Sequence, residues 1–190
     1  MPSKKYLQDN PPPIRYGISP SNLGWILVAA TDQGVCAIHL QDSREGAIEQ
    51  LQARFPATPF RPEDPDCDRW AAEVAAFVEM PQHTLDFPLD LQGTAFQKQV
   101  WQALRAIPCG TTLTYLALSE HLGNPKAVRA VARACALNEI AVAIPCHRVV
   151  GSNGALTGYR WGLDRKRILL QREANCFAQP EVEQLTLSLL

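Results

Sequence analysis

The sequence predicts an α+β protein made of two domains that differ in secondary structure. Strand-like apolar runs dominate the first half of the chain, whereas apolar residues in the second half recur at helical spacing. Residues 1–90 carry 7 basic and 13 acidic side chains, and residues 91–175 carry 11 basic and 4 acidic ones. We therefore predict an α/β domain over residues 1–90, a mainly helical domain over residues 91–178 and a tail over residues 179–190.

Composition excludes several classes of protein. The chain has 190 residues, of which 46% are hydrophobic, enough for a sizeable core. It has no apolar stretch of membrane-spanning length, and no apolar segment follows Lys4 and Lys5 as a secretory signal requires. The 6 cysteines include no CxxC pair, a pattern typical of reduced thiols. We expect a cytoplasmic protein without a membrane partner.

The first half of the sequence begins with a predicted β-hairpin. Residues 7–22 are rich in Pro and Asn and are expected to be extended. Two strand-like runs follow at residues 25–30 and 35–40. The link between them ends in Gly34, which favours a tight hairpin turn.

Two helices and a further strand are predicted after the hairpin. A helix is predicted to begin at Ser43, with Ile48 and Leu51 on its apolar face, and to end before Pro56. Apolar side chains at helical spacing predict an amphipathic helix over residues 66–80. Residues 83–90 resemble a short strand, and the charge changes sign after it.

The second half begins with a predicted amphipathic helix. Four apolar residues fall at i, i+4, i+8 and i+11 on one helix face, before Pro108: Phe96, Val100, Leu104 and Ile107. Two shorter helices are predicted next, over residues 114–122 and 126–137. Between them, Gly123, Asn124 and Pro125 have the residue types preferred at a C′, N-cap and N1 position. This arrangement predicts a helix-turn-helix.

The second of these helices has an outer face of small and cationic side chains. Its members are Lys126, Ala127, Arg129, Ala130 and Arg133, with Ala134 beside them. The predicted buried stripe is Val128, Val131, Ala132 and Cys135. A face of alanines reads little base sequence but allows the helix backbone to approach a minor groove. Double-stranded DNA is the predicted partner, although such charges also fit a solvated surface and such alanines also fit helix packing.

Cys146 is the candidate nucleophile. It follows the apolar run 140–144 and is flanked by His147 and Arg148. Nearby basic groups lower the pKa of a thiol and raise its thiolate fraction. Because neighbouring residues of a strand point to opposite faces, His147 can act on Cys146 only across a turn or through a bridging water.

Five motifs resemble the O6-alkylguanine-DNA alkyltransferase family, also called methylated-DNA–protein-cysteine methyltransferases. They are GTAFQ (93–97), IPCG (107–110), GNPKAVRAV (123–131), PCHRV (145–149) and GYRWG (158–162). The resemblance covers residues 90–175 closely and the first half weakly, and it is strongest to the alkyltransferase half of the bacterial adaptive-response protein.

This resemblance implies a ribonuclease-H-like α/β domain followed by a helical domain with a helix-turn-helix. It also implies DNA repair by irreversible, single-turnover transfer of a methyl group to the protein's own cysteine. The substrate is O6-methylguanine, or less readily O4-methylthymine, in double-stranded DNA. Transfer follows minor-groove binding and base flipping, and it needs no cofactor. A monomer is expected, with cooperative binding to DNA left open.

The resemblance also assigns catalytic roles to individual residues. Cys146 is similar to the family's alkyl acceptor, and His147 to the histidine that deprotonates it through a water. Glu173 is similar to the carboxylate that orients this histidine. Asn138 matches the asparagine that braces the turn before the acceptor.

Other residues match the family's nucleotide-binding positions. Tyr115 matches the tyrosine that assists nucleotide rotation and gives a proton to the departing base, and Arg129 the arginine that fills the gap in the base stack. The implied base pocket includes Val149, Tyr159, Arg160 and Trp161. Since some relatives have Gly in place of Trp161, we expect a narrow pocket that reacts poorly with O6-benzyl adducts.

Two other functions remain open on the sequence alone. A damage-recognition module without transfer activity has the same fold, and a helix-turn-helix regulator binds one DNA sequence. No metal is expected, because Cys36 and His39 have opposite strand parity and cannot join Cys67 and His83 in a zinc site.

Overall fold

In the computed structural model, the first half of the chain contains a four-stranded sheet. The structure describes residues 12–56, 58–81 and 84–178. The strands of the sheet are β1 (Ile14–Ser21), β2 (Gly24–Thr31), β3 (Gly34–Gln41) and β4 (Phe60–Arg61), in the order β3-β2-β1-β4. Strands β1 to β3 are antiparallel neighbours, and β4 lies parallel to β1. The predicted hairpin is confirmed. The segment predicted only to be extended contains β1, which pairs with β2 from Arg15 to Ser21.

Helices α1 (Arg44–Arg54) and α2 (Pro65–Glu79) cover opposite faces of this sheet. The α1 side chains pack with one set of β2 residues, including Leu27, and those of α2 pack with the alternate set, including Ile26. Strand β2 is therefore buried on both sides, which explains its continuous apolar run. The predicted helix start is confirmed: α1 follows Ser43, whose hydroxyl accepts the backbone N–H of Gly46 at 3.0 Å.

The strand predicted over residues 83–90 is wrong for its described part, residues 84–90. Only a single bridge forms, between Leu89 and Val35. The Val35 N–H donates to the carbonyl of Pro88 at 2.7 Å, but Pro88 has no N–H with which to extend the ladder. Gly34 has a φ of +137°, and a Cβ there would lie 2.5 Å from the Pro88 oxygen, so this contact requires glycine.

Four helices dominate the described part of the second half: α3 (Ala95–Arg105), α4 (Tyr115–His121), α5 (Val128–Ala136) and α6 (Leu163–Ala178). Strands β5 (Leu113–Thr114) and β6 (Val149–Val150) form a short parallel pair. Among the described residues, no helix is long and apolar enough to cross a membrane.

The connection between α4 and α5 differs in detail from the prediction. Gly123 has a φ of +72°, as its C′ position requires. Pro125 begins a 3-10 turn over Pro125–Ala127, so the α-helix starts later than expected. The side chain of Asn124 makes no capping bond; instead its backbone carbonyl accepts the N–H of Ala127 at 2.9 Å.

The larger hydrophobic core contains residues from both sides of position 90, from Ile26 in β2 to Leu169 in α6. Backbone bonds also join the two halves. The Ile38 N–H donates to the carbonyl of Glu139 at 2.9 Å, and the Ala141 N–H donates to the carbonyl of Ile38 at 3.1 Å. Strand β3 therefore supports the segment that leads from α5 to Cys146.

Candidate active site

Cys146 begins a 3-10 turn, Cys146–Arg148, between α5 and β6. The sequence required a turn or a bridging water at this point, and the structure has the turn. The Cys146 side chain is almost fully buried and lines a cavity of about 460 Å³. One side of the cavity is formed by α4 and α5, through Tyr115, Ala132, Cys135 and Ala136, and the other by residues 157–160. The thiol is therefore accessible from this cavity.

Asn138 organises the turn that precedes Cys146. Its amide nitrogen donates to the carbonyl of Ile144 at 2.8 Å and to Sγ of Cys146 at 3.3 Å, and its amide oxygen accepts the N–H of Ile140 at 2.9 Å. Within this turn Val142 has a φ of +65°, a strained conformation for a β-branched residue that costs about 1–3 kcal/mol. The hydrogen bonds of Asn138 hold the turn in this shape.

Glu173, His147 and Arg148 form a buried network beside the thiol. Oε1 of Glu173 lies 2.7 Å from Nε2 of His147, and Arg148 donates to the same carboxylate at 2.9–3.2 Å. Burial alone would raise the pKa of Glu173, but hydrogen bonds from His147 and Arg148 lower it to about 2. Glu173 is therefore an anion at neutral pH, and it fixes the ring of His147.

The protonation state of His147 follows from this network. Burial lowers the pKa of His147, so its imidazole is neutral at neutral pH. Because Glu173 is an acceptor, we assign the ring hydrogen to Nε2. Nδ1 of His147 is then an acceptor, and it has no hydrogen-bond partner among the described residues. His147 is thus able to take up a proton at Nδ1.

Burial raises the pKa of the Cys146 thiol to about 11, and its hydrogen bond with Asn138 and the charge of Lys166 offset only part of this effect. The side chain is therefore a thiol at neutral pH and needs a base. Sequence analysis missed Lys166, which is fully buried and donates from Nζ to the carbonyls of Val149 at 2.6 Å and Thr157 at 3.1 Å. Its spacing before Leu169 and Glu173, at i, i+3 and i+7, was an available signal for a buried position.

The alkylation of Cys146 by iodoacetamide is expected to accelerate with every pH unit up to about 11, because the thiolate fraction grows about tenfold per unit below the pKa. Quenched samples digested and measured by mass spectrometry report the rate at the Cys146 peptide separately from the other cysteines. A rate that levels off below pH 8 would contradict the raised pKa.

The predicted pocket residues occupy different positions around the cavity. Tyr115 lies on the wall and its hydroxyl donates to the carbonyl of Thr157 at 3.3 Å, while Tyr159 and Arg160 form the opposite wall. Val149 is fully buried and is not part of the wall. Trp161 is also behind the wall, where it packs on Tyr159 with ring centroids 5.2 Å apart. The expectation that Trp161 itself narrows the pocket is therefore corrected: it supports Tyr159.

Most of the predicted DNA-contacting residues are on one exposed surface. Lys126, Arg129, Ala130 and Arg133 are exposed, and Ala127 is half-buried. Ala134, expected beside this surface, is instead buried, and its carbonyl accepts the indole N–H of Trp101 at 2.9 Å. Val128 and Ala132 are only half-buried rather than part of the core, since α5 turns Ala132 towards the cavity.

The residues considered for zinc have other surroundings. His39 lies against the carboxylate of Glu139, and Cys36 packs in the core under α1. His83 lies outside the described residues. Within the part of the chain that the structure describes, no three His, Cys, Asp or Glu side chains are grouped to hold a metal.

Comparisons with known proteins identify a matching family and several relatives. Residues 95–175 match the family described as "6-O-methylguanine DNA methyltransferase, DNA binding domain". The chain is 51% identical over 161 residues to the "Bifunctional transcriptional activator/DNA repair enzyme Ada" of Escherichia coli, covering 85% of this chain and 46% of that protein. It thus spans about half the length of the Ada proteins that it matches.

Other relatives match along nearly their whole length. The chain is 38% identical to the "Methylated-DNA--protein-cysteine methyltransferase" of Methanosarcina acetivorans, covering 85% of this chain and 99% of that protein. Among solved structures, it is similar to Mycobacterium tuberculosis OGT in complex with DNA, with a TM-score of 0.72 and 34% identity over 85% of this chain and 94% of that chain.

Proposed function

The chain belongs to the methylated-DNA–protein-cysteine methyltransferase family, and we propose that it repairs DNA by transferring an alkyl group from O6 of guanine to Sγ of Cys146. The preferred group is methyl, and O4-methylthymine is the poorer substrate. One observation carries this proposal: a buried thiol lines a cavity of about 460 Å³, beside a histidine whose ring is fixed by a carboxylate. Such a cavity suits a base that has been removed from the duplex.

DNA binding is assigned to α4, the turn and α5, which we propose to act as a helix-turn-helix in the minor groove. The groove is only about 6 Å wide and a helix with side chains is about 10–12 Å across, so small residues are needed at the contact. The exposed cations of α5 and the exposed Ala130 support this assignment. Arg129 fills the gap in the stack after base flipping, which costs a few kcal/mol.

The thiol loses its proton before transfer. In the proposed step, Nδ1 of His147 takes the proton of Sγ through a bridging water, and Glu173 stabilises the imidazolium that forms. The partnerless Nδ1 and the bond of 2.7 Å to Glu173 support these roles. The amide of Asn138, at 3.3 Å, stabilises the developing thiolate.

The transfer itself is a displacement at the alkyl carbon. An electron pair of Sγ forms the new S–C bond, the C–O6 bond breaks, and its electrons remain on the guanine. The Tyr115 hydroxyl supplies a proton to the departing base. The product is a thioether, which, unlike a thioester, is not hydrolysed, so each molecule reacts once. No cofactor takes part in any of these steps.

We also propose a finer description of the fold. Three antiparallel strands followed by a fourth parallel to β1 support a ribonuclease-H-like first domain, with its boundary near residue 90. Residues 91–178 are then the DNA-binding and alkyl-acceptor domain. We expect the protein to act as a monomer on double-stranded DNA.

Incubation with a duplex that contains O6-methylguanine tests the proposed function. The intact mass is expected to rise by one CH₂ and to saturate at one per protein, with the modification on the Cys146 peptide. The control is a duplex of the same sequence that has unmodified guanine at the position of the lesion. Tight binding to the lesion without a mass gain would identify a damage-recognition module, and binding to one sequence regardless of the lesion would identify a regulator.

A further inference from the structure

A buried carboxylate without a role in the proposed reaction lies between α5 and Cys146. Glu139 is 9% exposed, and its side chain meets partners from three parts of the chain. Nε2 of His39 lies 3.2 Å from Oε2, Nε of Arg54 donates to Oε1 at 2.9 Å, and a guanidinium nitrogen of Arg160 lies 3.0 Å from Oε1. Glu139 thus connects β3, α1 and the cavity wall.

The partners from the first half fix the position of this carboxylate. His39 is fully buried in β3, and the side chain of Arg54 is mostly buried at the end of α1. Burial alone would raise the pKa of Glu139, but its hydrogen bond with His39 and the charges of Arg160 and Arg54 lower it, so the group is an anion. The backbone of Glu139 is fixed as well, because its carbonyl accepts the N–H of Ile38.

Arg160 is the most exposed member of the charged group around Glu139. Its side chain is 25% exposed, and Arg160 lines the same cavity as Cys146. Within the described residues, Glu139 is the only ion-pair partner of Arg160. An arginine side chain has several rotatable bonds and carries about 2 kcal/mol of rotamer entropy, so without a partner it samples many positions. The pair with Glu139 therefore keeps this part of the wall in place.

We propose, on the basis of the function proposed above, that Glu139 is a specificity-determining residue that holds Arg160 on the cavity wall and so limits the size of the alkyl group that Cys146 accepts. The fixed wall leaves room for a flipped base with a small O6 substituent. When Arg160 is released, its side chain moves towards solvent and the cavity accepts a larger substituent. Glu139 acts through Arg160 and does not touch the reacting atoms.

The rate constants of Cys146 alkylation by duplexes with O6-methylguanine and with O6-benzylguanine test this proposal. The measured quantity is the ratio of the benzyl rate to the methyl rate, which cancels general effects on folding and DNA binding. In Glu139→Gln the ratio is expected to rise at least about tenfold, the discrimination typical of misfit in a pocket. Arg160→Gln removes the wall directly and is expected to raise the ratio by a similar factor.

Two comparisons make the result specific. Because both variants remove one restraint, the double variant should raise the ratio no further than a single one. The control is Glu73→Gln, which breaks an exposed ion pair with Arg69, 2.9 Å long, on α2 and should leave the ratio unchanged. If Glu139→Gln does not fold, as judged by its melting curve, Arg160→Gln alone tests the proposal. In that variant Glu139 keeps its contacts with His39 and Arg54.

An unchanged ratio in the folded variants would overturn the proposal, as would additive effects in the double variant. Failure of the proposed function gives a different result, since the wild-type protein would then take no methyl group from O6-methylguanine at Cys146. That outcome would overturn both proposals.

Discussion

Replacing Cys146 with alanine is expected to abolish alkyl transfer and to leave lesion binding intact. The cavity also contains Cys135, but burial raises the pKa of its thiol strongly, and among the described residues no side-chain amide donates to it as that of Asn138 does to Cys146. Cys135 is therefore expected not to replace the acceptor. Intact-mass measurement after exposure to O6-methylguanine DNA reports transfer, and an electrophoretic mobility shift with the same duplex reports binding.

The matched control for this variant is Cys176→Ala, which makes the same change on α6 outside the residues that line the cavity. It is expected to transfer one methyl group as the wild type does. A CH₂ gain in Cys146→Ala would show that another side chain is the acceptor. Loss of lesion binding in a folded Cys146→Ala protein would show that the thiol contributes to recognition as well as to transfer.

Glu173→Gln is expected to lower the free energy of unfolding by about 3–5 kcal/mol, because it leaves the charge of the buried Arg148 without its counter-ion. Transfer should also become much slower, since His147 loses the anion that orients its ring and stabilises its imidazolium. Urea denaturation measures the first effect, and single-turnover kinetics with lesion DNA measures the second.

The stability effect of Glu173→Gln has a defined pH dependence. The pKa of Glu173 is lowered from 4.5 to about 2, so its contribution is complete above pH 4.5 and is lost as the pH falls from 4.5 towards 2. The difference between variant and wild type should therefore shrink on acidification. If the free energies of unfolding of variant and wild type differ equally at pH 7 and pH 3, the charge of Glu173 is not the cause of the difference.

Local signals in the sequence predicted the elements that depend on local interactions. The hairpin turn at Gly34 and the helix start at Ser43 each rely on residues within a few positions, and both are confirmed. Strand β1 was predicted only as an extended segment, because its state comes from pairing with β2 over its whole length. Residues 84–90 have strand-like composition but pair with β3 through a single bridge, at Leu89, so composition misled the prediction.

Some features of the candidate site could likewise be predicted from the sequence, and others could not. Cys146 and His147 are adjacent in the sequence, and their chemistry called for a turn or a bridging water between them; the structure has a turn at Cys146–Arg148. The role of Trp161 was misjudged because a single sequence does not distinguish a wall residue from one directly behind it. The contact between Glu139 and His39 spans 100 positions and has no signature in either neighbourhood. Only the fold brings these residues together.

The two backbone hydrogen bonds that join Ile38 to Glu139 and Ala141 form a junction between the halves of the chain. This junction restricts the substitutions that the protein can accept in evolution. A substitution that moves β3 also moves the turn by which Asn138 orients the thiol, although no residue of the four-stranded sheet lines the cavity of Cys146. Selection for repair should therefore act on sheet residues far from the reaction. A chimera that joins the first half of one relative to the second half of another should keep its activity only where the two parents agree at this junction.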